Sequence, residues 1–152
     1  LTSKYYWEDF RIGEKIRLGS RLVTREEMID FASKYDPQPF HVDEAAATTS
    51  IYGGLIASGW HTGAMVMRMM CDAYLLESAS MGSPGLDNLK WLKPVRPGDR
   101  ITAYRTTLES RASKSRAEMG IVKFFWEVVN QNEEVVMSME GYGLFGRRNP
   151  GA

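Results

Sequence analysis

Hydrophobic positions change their spacing several times along the chain. Residues 16–23, "IRLGSRLV", alternate loosely between apolar and polar, which predicts a strand weakened at Gly19. From Thr24 the period lengthens. Met28, Phe31 and Ala32 form a stripe at helical spacing, and Thr24 with Glu27 three residues on makes a capping-box pattern. That helix is predicted to stop before Pro37, because proline has no N–H to donate and disfavours helix at the residue before it. Asp36 is then expected at a helix end and His41 in an extended segment. "VDEAAATTS" predicts a short helix, and "YGG" at 52–54 a turn that uses positive φ. From Ser58 or Gly59 to about Leu76 the side chains are apolar around most of the circumference, the signature of a buried helix. Loop residues "SMGSPG" follow, then strand patterns at 86–93, 99–110, 120–130 and 134–145. "RPGD" at 96–99 is a turn between the first two, and "NQNE" at 130–133 closes the last two as a hairpin.

A strand, a helical stretch and a run of long strands predict an α+β fold: one domain over residues 1–152, with a long central helix against a curved antiparallel sheet. The open edge of such a sheet has to be covered, so a homodimer is expected. Nineteen basic residues balance nineteen acidic ones, which leaves no overall field to draw nucleic acid or an anionic membrane. The most apolar stretch, "GAMVMRMMCDAYLL", is interrupted by Arg68 and Asp72 and is shorter than the roughly 20 residues of a bilayer span. "LTSKYYWEDF" carries charges where a secretory signal has an apolar block. The single cysteine, Cys71, cannot build an internal disulfide framework and reads as a structural thiol in an apolar helix. Cytoplasm is the expected compartment.

The chain has two histidines, at 41 and 61. His41 follows Asp36 by five residues, with Pro37 and Pro39 between them, so a carboxylate and an imidazole are joined by a stiffened segment. Such a pair can serve as acid and base, or it is an exposed aspartate beside a capping or core histidine. Asp43 and Glu44 beside His41 offer the alternative of a metal site, disfavoured because a single imidazole is nearby; no metal is expected. His61, in the first turn of the long helix, is the rival base or an interior hydrogen-bonded histidine. The methionines at 65, 67, 69, 70 and 81 suit core or pocket filling. Lys90, Lys93, Arg96 and Arg100, near Trp91, either meet phosphates of a ligand or form solvated strand ends.

"DPQPFHVD", with the order of elements around it, resembles the MaoC-like dehydratases, the (R)-specific enoyl-CoA hydratase branch of the hotdog fold. The likeness runs from "FRIGEK" through "SGWHTG" and "LKWLKPVRPGDRI" to the last strand. Asp36, Pro39, His41 and Asp43 match the family's signature in type and spacing; Gln38 replaces its usual asparagine. Gly59 matches the glycine before the central helix, whereas Ser58 stands where many members have histidine and Met67 where many have serine. The resemblance implies that Asp36 and His41 activate water beside the double bond of a trans-2-enoyl-CoA. It also implies that the Gly59 N–H receives the thioester oxygen, an oxyanion site at a helix N-terminus. Gly54, Ser58, Lys90, Lys93 and Arg96 are the expected substrate contacts, Gly53 and Gly54 keep the approach open, and no cofactor beyond the coenzyme A of the substrate is expected. A hotdog thioesterase and a non-catalytic acyl-CoA-binding or scaffold protein are the alternatives.

Overall fold

The computed structural model describes residues 2–151. Five strands form one antiparallel sheet: β1 (Lys15–Leu22), β2 (Leu86–Trp91), β3 (Arg100–Ala112), β4 (Met119–Val129) and β5 (Val135–Gly146), in the spatial order β1-β3-β4-β5-β2. Between β1 and β2 the chain makes α1 (Arg25–Tyr35), two short helices, α2 (Pro39–Val42) and α3 (Glu44–Thr48), and the long α4 (Gly59–Ala73).

Local rules account for most of these boundaries. Thr24 accepts the N–H of Glu27 at 3.2 Å and so caps α1, which stops at Tyr35, ahead of Pro37. Pro39 starts α2 as its first helical residue, where a missing N–H costs nothing. His41 therefore lies on a helical turn, a correction to the extended segment expected from the prolines alone. Asp43 caps α3 by accepting from the N–H groups of Ala45 and Ala46. Gly53 takes a φ of +66° in the expected turn, and "NQNE" closes the β4–β5 hairpin. Gly19, at a φ of +154°, sits where the β1–β3 register shifts; the expected weak point of the strand is a bulge.

In β4 every second side chain is buried, Val122, Phe124, Trp126 and Val128 among them. Met65, Val66, Met69 and Met70 of α4 pack into the same core, so the sheet curves around the helix. Arg105 of β3 is buried in that core. Its guanidinium stands over the rings of Phe10, Tyr74 and Phe124 at 4.4–5.0 Å and reaches Glu14 at 3.3 Å. One face of α4 is not covered. Trp60 and Met67 are exposed, and Arg68 pairs with Asp72 in solvent, so the helix is less enclosed than its composition suggests. α4 also ends three residues short of Leu76, with a tighter turn at Leu75–Glu77.

Candidate active site

The ends of three helices meet at Asp36. The residue closes α1, His41 projects from α2, and Ser58 stands at the N-terminus of α4. Asp36 Oδ2 lies 3.2 Å from His41 Nε2 and accepts a hydrogen bond from Ser58 Oγ at 2.7 Å. The other oxygen, Oδ1, accepts from Gln38 Nε2 at 2.7 Å. Burial pushes the Asp36 carboxyl up, yet the donors Gln38 and Ser58, together with the electrostatic influence of the neighbouring His41 ring, outweigh it and hold the group below its usual range.

His41 is buried, and its Nδ1 lies 2.8 Å from the carbonyl oxygen of Ile56. A carbonyl can only accept, so Nδ1 carries the hydrogen. Nε2 is thereby the ring nitrogen left to exchange protons beside Asp36.

Removal of the Ser58 hydroxyl has a directional consequence. In Ser58→Ala burial is less opposed, the Asp36 carboxyl rises, and the stability tied to its ionisation shrinks. Because the folded-state value is depressed, that contribution is present above the unfolded aspartate range and disappears as pH falls through the folded value. The native protein should exceed Ser58→Ala in thermal midpoint at neutral pH, and the gap should narrow on acidification. A gap that stays constant with pH would show that the hydroxyl does not act through the carboxylate.

Gly59 begins α4, and its N–H, as the first of the helix, has no partner within it. Ser58 O accepts from both His61 and Thr62, which polarises the peptide that carries the Gly59 N–H. A Cβ on Gly59 would overlap the indole of Trp91, whose Nε1–H donates to Gly59 O at 3.0 Å.

The other expected residues are dispersed. Lys93 pairs with Glu134, and Arg96 donates to the carbonyl of Tyr52 at 2.6 Å while resting beside Gly54, so both cations already hold local structure. Lys90 stands exposed on β2. Ser58, expected to touch substrate, spends its hydroxyl on Asp36. His61 approaches Glu27 at 3.3 Å and stacks on Phe31 at 4.8 Å, with Arg21 forming two bonds to the same carboxylate. Glu27 thus ties β1, α1 and α4 together and does not complete the capping box. Asp43 serves its cap and Glu44 pairs with Arg25 at 2.5 Å; among the described residues no cluster of three metal-binding side chains forms. The donor Gln38, the acceptor Ile56 O and the cover provided by Trp91 were not foreseen. Only Gln38 left a trace, as the amide inside the signature.

The sequence profile of the MaoC-like domain matches residues 9–128. This chain belongs to the MaoC-like domain family. Among its members, a MaoC-like dehydratase from Rhodospirillum rubrum is 36% identical and superposes with a TM-score of 0.85, covering 95% of this chain and 99% of that one. YdeM of Bacillus subtilis is 27% identical over 133 residues, 88% of this chain and 93% of its own. An unliganded (R)-hydratase from Pseudomonas aeruginosa, 20% identical, superposes with a TM-score of 0.74 over 97% of this chain and 89% of that one, a likeness of fold. The sheet wrapped around α4 is the hotdog fold. No described helix of this MaoC-like chain is long and apolar enough to cross a membrane.

Proposed function

We propose that this protein adds water reversibly to the double bond of a trans-2-enoyl thioester of coenzyme A, giving the (R)-3-hydroxyacyl thioester. The carrying observation is the opposition of Asp36 Oδ2 and His41 Nε2 at 3.2 Å, each held from behind by other partners. Family membership and the similarity to the Rhodospirillum rubrum dehydratase support the reaction class.

The chemistry follows from what each group has left to offer. One water accepts a place between carboxylate and imidazole. Asp36, held ionised, receives one of its hydrogens as a hydrogen bond; His41 Nε2 takes the other as a proton while the water oxygen attacks C3. The alkene π pair moves into the thioester, whose oxygen gains negative charge and receives the Gly59 N–H. Nε2 then returns its proton to C2. A C3–O bond and a C2–H bond have formed from one water, on the face where the pair stands, and the reverse path is the dehydration. Fixed positions of water and base are what the folded loop contributes.

The homodimer remains part of this reading. The sheet ends in two edge strands, β1 and β2, and an open edge suits pairing with a second copy, so sedimentation should give about twice the chain mass.

The test is the loss of enoyl-thioester ultraviolet absorbance on addition of protein, followed together with free thiol. Loss of absorbance without thiol supports hydration. Thiol release assigns a thioesterase instead, and binding without turnover, indifferent to loss of Asp36 and His41, assigns a carrier.

A further inference from the structure

Two cavities meet at Gly59. One, of about 450 Å3, runs along the uncovered face of α4 and is lined by Met67, Met70, Leu75, Leu89, Met137 and Met139 among others, with no charged side chain. The second, of about 300 Å3, opens near Tyr52, Lys93 and Pro94. Gly59 and Trp91 are the two residues common to both linings, so the contact of the indole with Gly59 is the wall between them.

That wall is lightly held. Trp91 lies on an edge strand and is 46% exposed; its Nε1–H bonds Gly59 O, and its ring meets Trp60 edge-on at 5.2 Å. A thioester whose oxygen reaches the Gly59 N–H has its carbonyl at this wall. Its apolar tail is matched by the charge-free cavity on one side, and its more polar carrier arm by the mouth on the other. To occupy both, the ligand must pass between Gly59 and the indole.

We infer that Trp91 is the specificity-determining residue of the site, a movable partition over Gly59 that admits straight apolar acyl chains and rejects those branched at the α-carbon. The inference rests on the acyl-thioester reading. The α-carbon adjoins the carbonyl, so a methyl group there widens the ligand where the passage is narrowest. The indole fills the space that a side chain at position 59 would take, so the passage is only as wide as the displacement of the ring makes it. One methyl group in a tight pocket is worth a discrimination of roughly 10–200-fold.

Calorimetric titration of the full chain with hexanoyl-CoA and α-methylhexanoyl-CoA, which carry no double bond to hydrate, tests this apart from turnover. The native protein should bind the branched thioester at least about tenfold more weakly, whereas Trp91→Ala should bind the two within about threefold of each other. Trp91→Phe, which keeps a ring at the wall, should retain most of the preference. Circular dichroism checks that each variant folds, and Trp91→Leu carries the comparison if the alanine variant does not. Equal binding by the native protein, or a preference that survives in Trp91→Ala or Trp91→Leu, overturns the assignment to Trp91 and leaves the thioester reading standing. Failure of both ligands to bind overturns the two together.

Discussion

Asp36→Asn and His41→Ala should each lower the hydration rate of a trans-2-enoyl thioester by about 10²–10⁴-fold, with little change in KM. The expectation comes from the division of labour at the pair. His41→Ala removes the imidazole that faces Asp36 and that, in the proposed mechanism, takes a proton from water and passes it to carbon, and it leaves Ile56 O without its donor. Asp36→Asn keeps the size of the side chain but places an amide N–H2 where a carboxylate oxygen now accepts from Ser58 or Gln38. One donor must then face another, or rotate away, and the water loses its acceptor. In the proposed mechanism the substrate is held by the apolar cavity and the Gly59 N–H, which both variants retain, so the loss should fall on kcat. The double variant is the stricter measurement. Two groups that act on one water cannot be lost twice, so its rate should be close to that of the worse single variant. Losses that multiply in the double variant would mean that Asp36 and His41 act on separate steps, and the shared-water mechanism would be wrong.

What the sequence made legible and what it hid divide by distance along the chain. Thr24, Pro37 and the "NQNE" turn act on neighbours within a few residues, and the elements that depend on them stand where local chemistry put them. Short-range rules also held the clue to α2. A proline at the first helical position, as Pro39 is, favours a helical start as much as Pro37 forbids a continuation, and the two signals differ only in which side of the proline is considered. The strands of β4 and β5 were visible as apolar runs, although apolar residues on both faces concealed which side chains point inward. The placement of β2 beyond β5, instead of beside β3, was not visible, since strand order is settled by contacts between residues dozens of positions apart. The same limit applies at the site. Asp36 and His41 are five residues apart and carry a family pattern, so their pairing was expected, and the fold sets them 3.2 Å apart. Ser58 lies twenty-two residues from the carboxylate it supports and Trp91 thirty-two from the glycine it covers, and no local rule connects either pair. Glu27 shows the converse: a pattern that local rules assign to a helix cap is drawn instead to Arg21 and His61 once the fold brings them near.

Phe124→Ala should be among the most damaging single changes to stability, at about 3–5 kcal/mol. The side chain is almost wholly buried at the centre of β4, and its ring meets Phe10 edge-on at 5.6 Å, Trp126 at 5.4 Å and Phe145 at 6.2 Å. Truncation removes the apolar surface that folding buries and leaves a void that aromatic neighbours anchored on β5 and the N-terminal segment cannot readily fill. A second cost is particular to this core. The Arg105 guanidinium lies 4.9 Å from the Phe124 ring and has Glu14 as its carboxylate partner, so a buried cation would lose one of the three aromatic faces that compensate for its desolvation. Total stabilities of domains this size are about 5–15 kcal/mol, which puts the variant near the edge of folding at ordinary temperatures. The shift in the urea midpoint, with the slope unchanged, is the measurement. Since Phe124 also lines the apolar cavity, the folded fraction of the variant should, on the acyl-thioester reading, accept bulkier acyl chains than the native protein. A loss below about 1.5 kcal/mol would mean that the core collapses around the missing ring, and the cavity should then shrink and the variant lose affinity for long chains instead of gaining it.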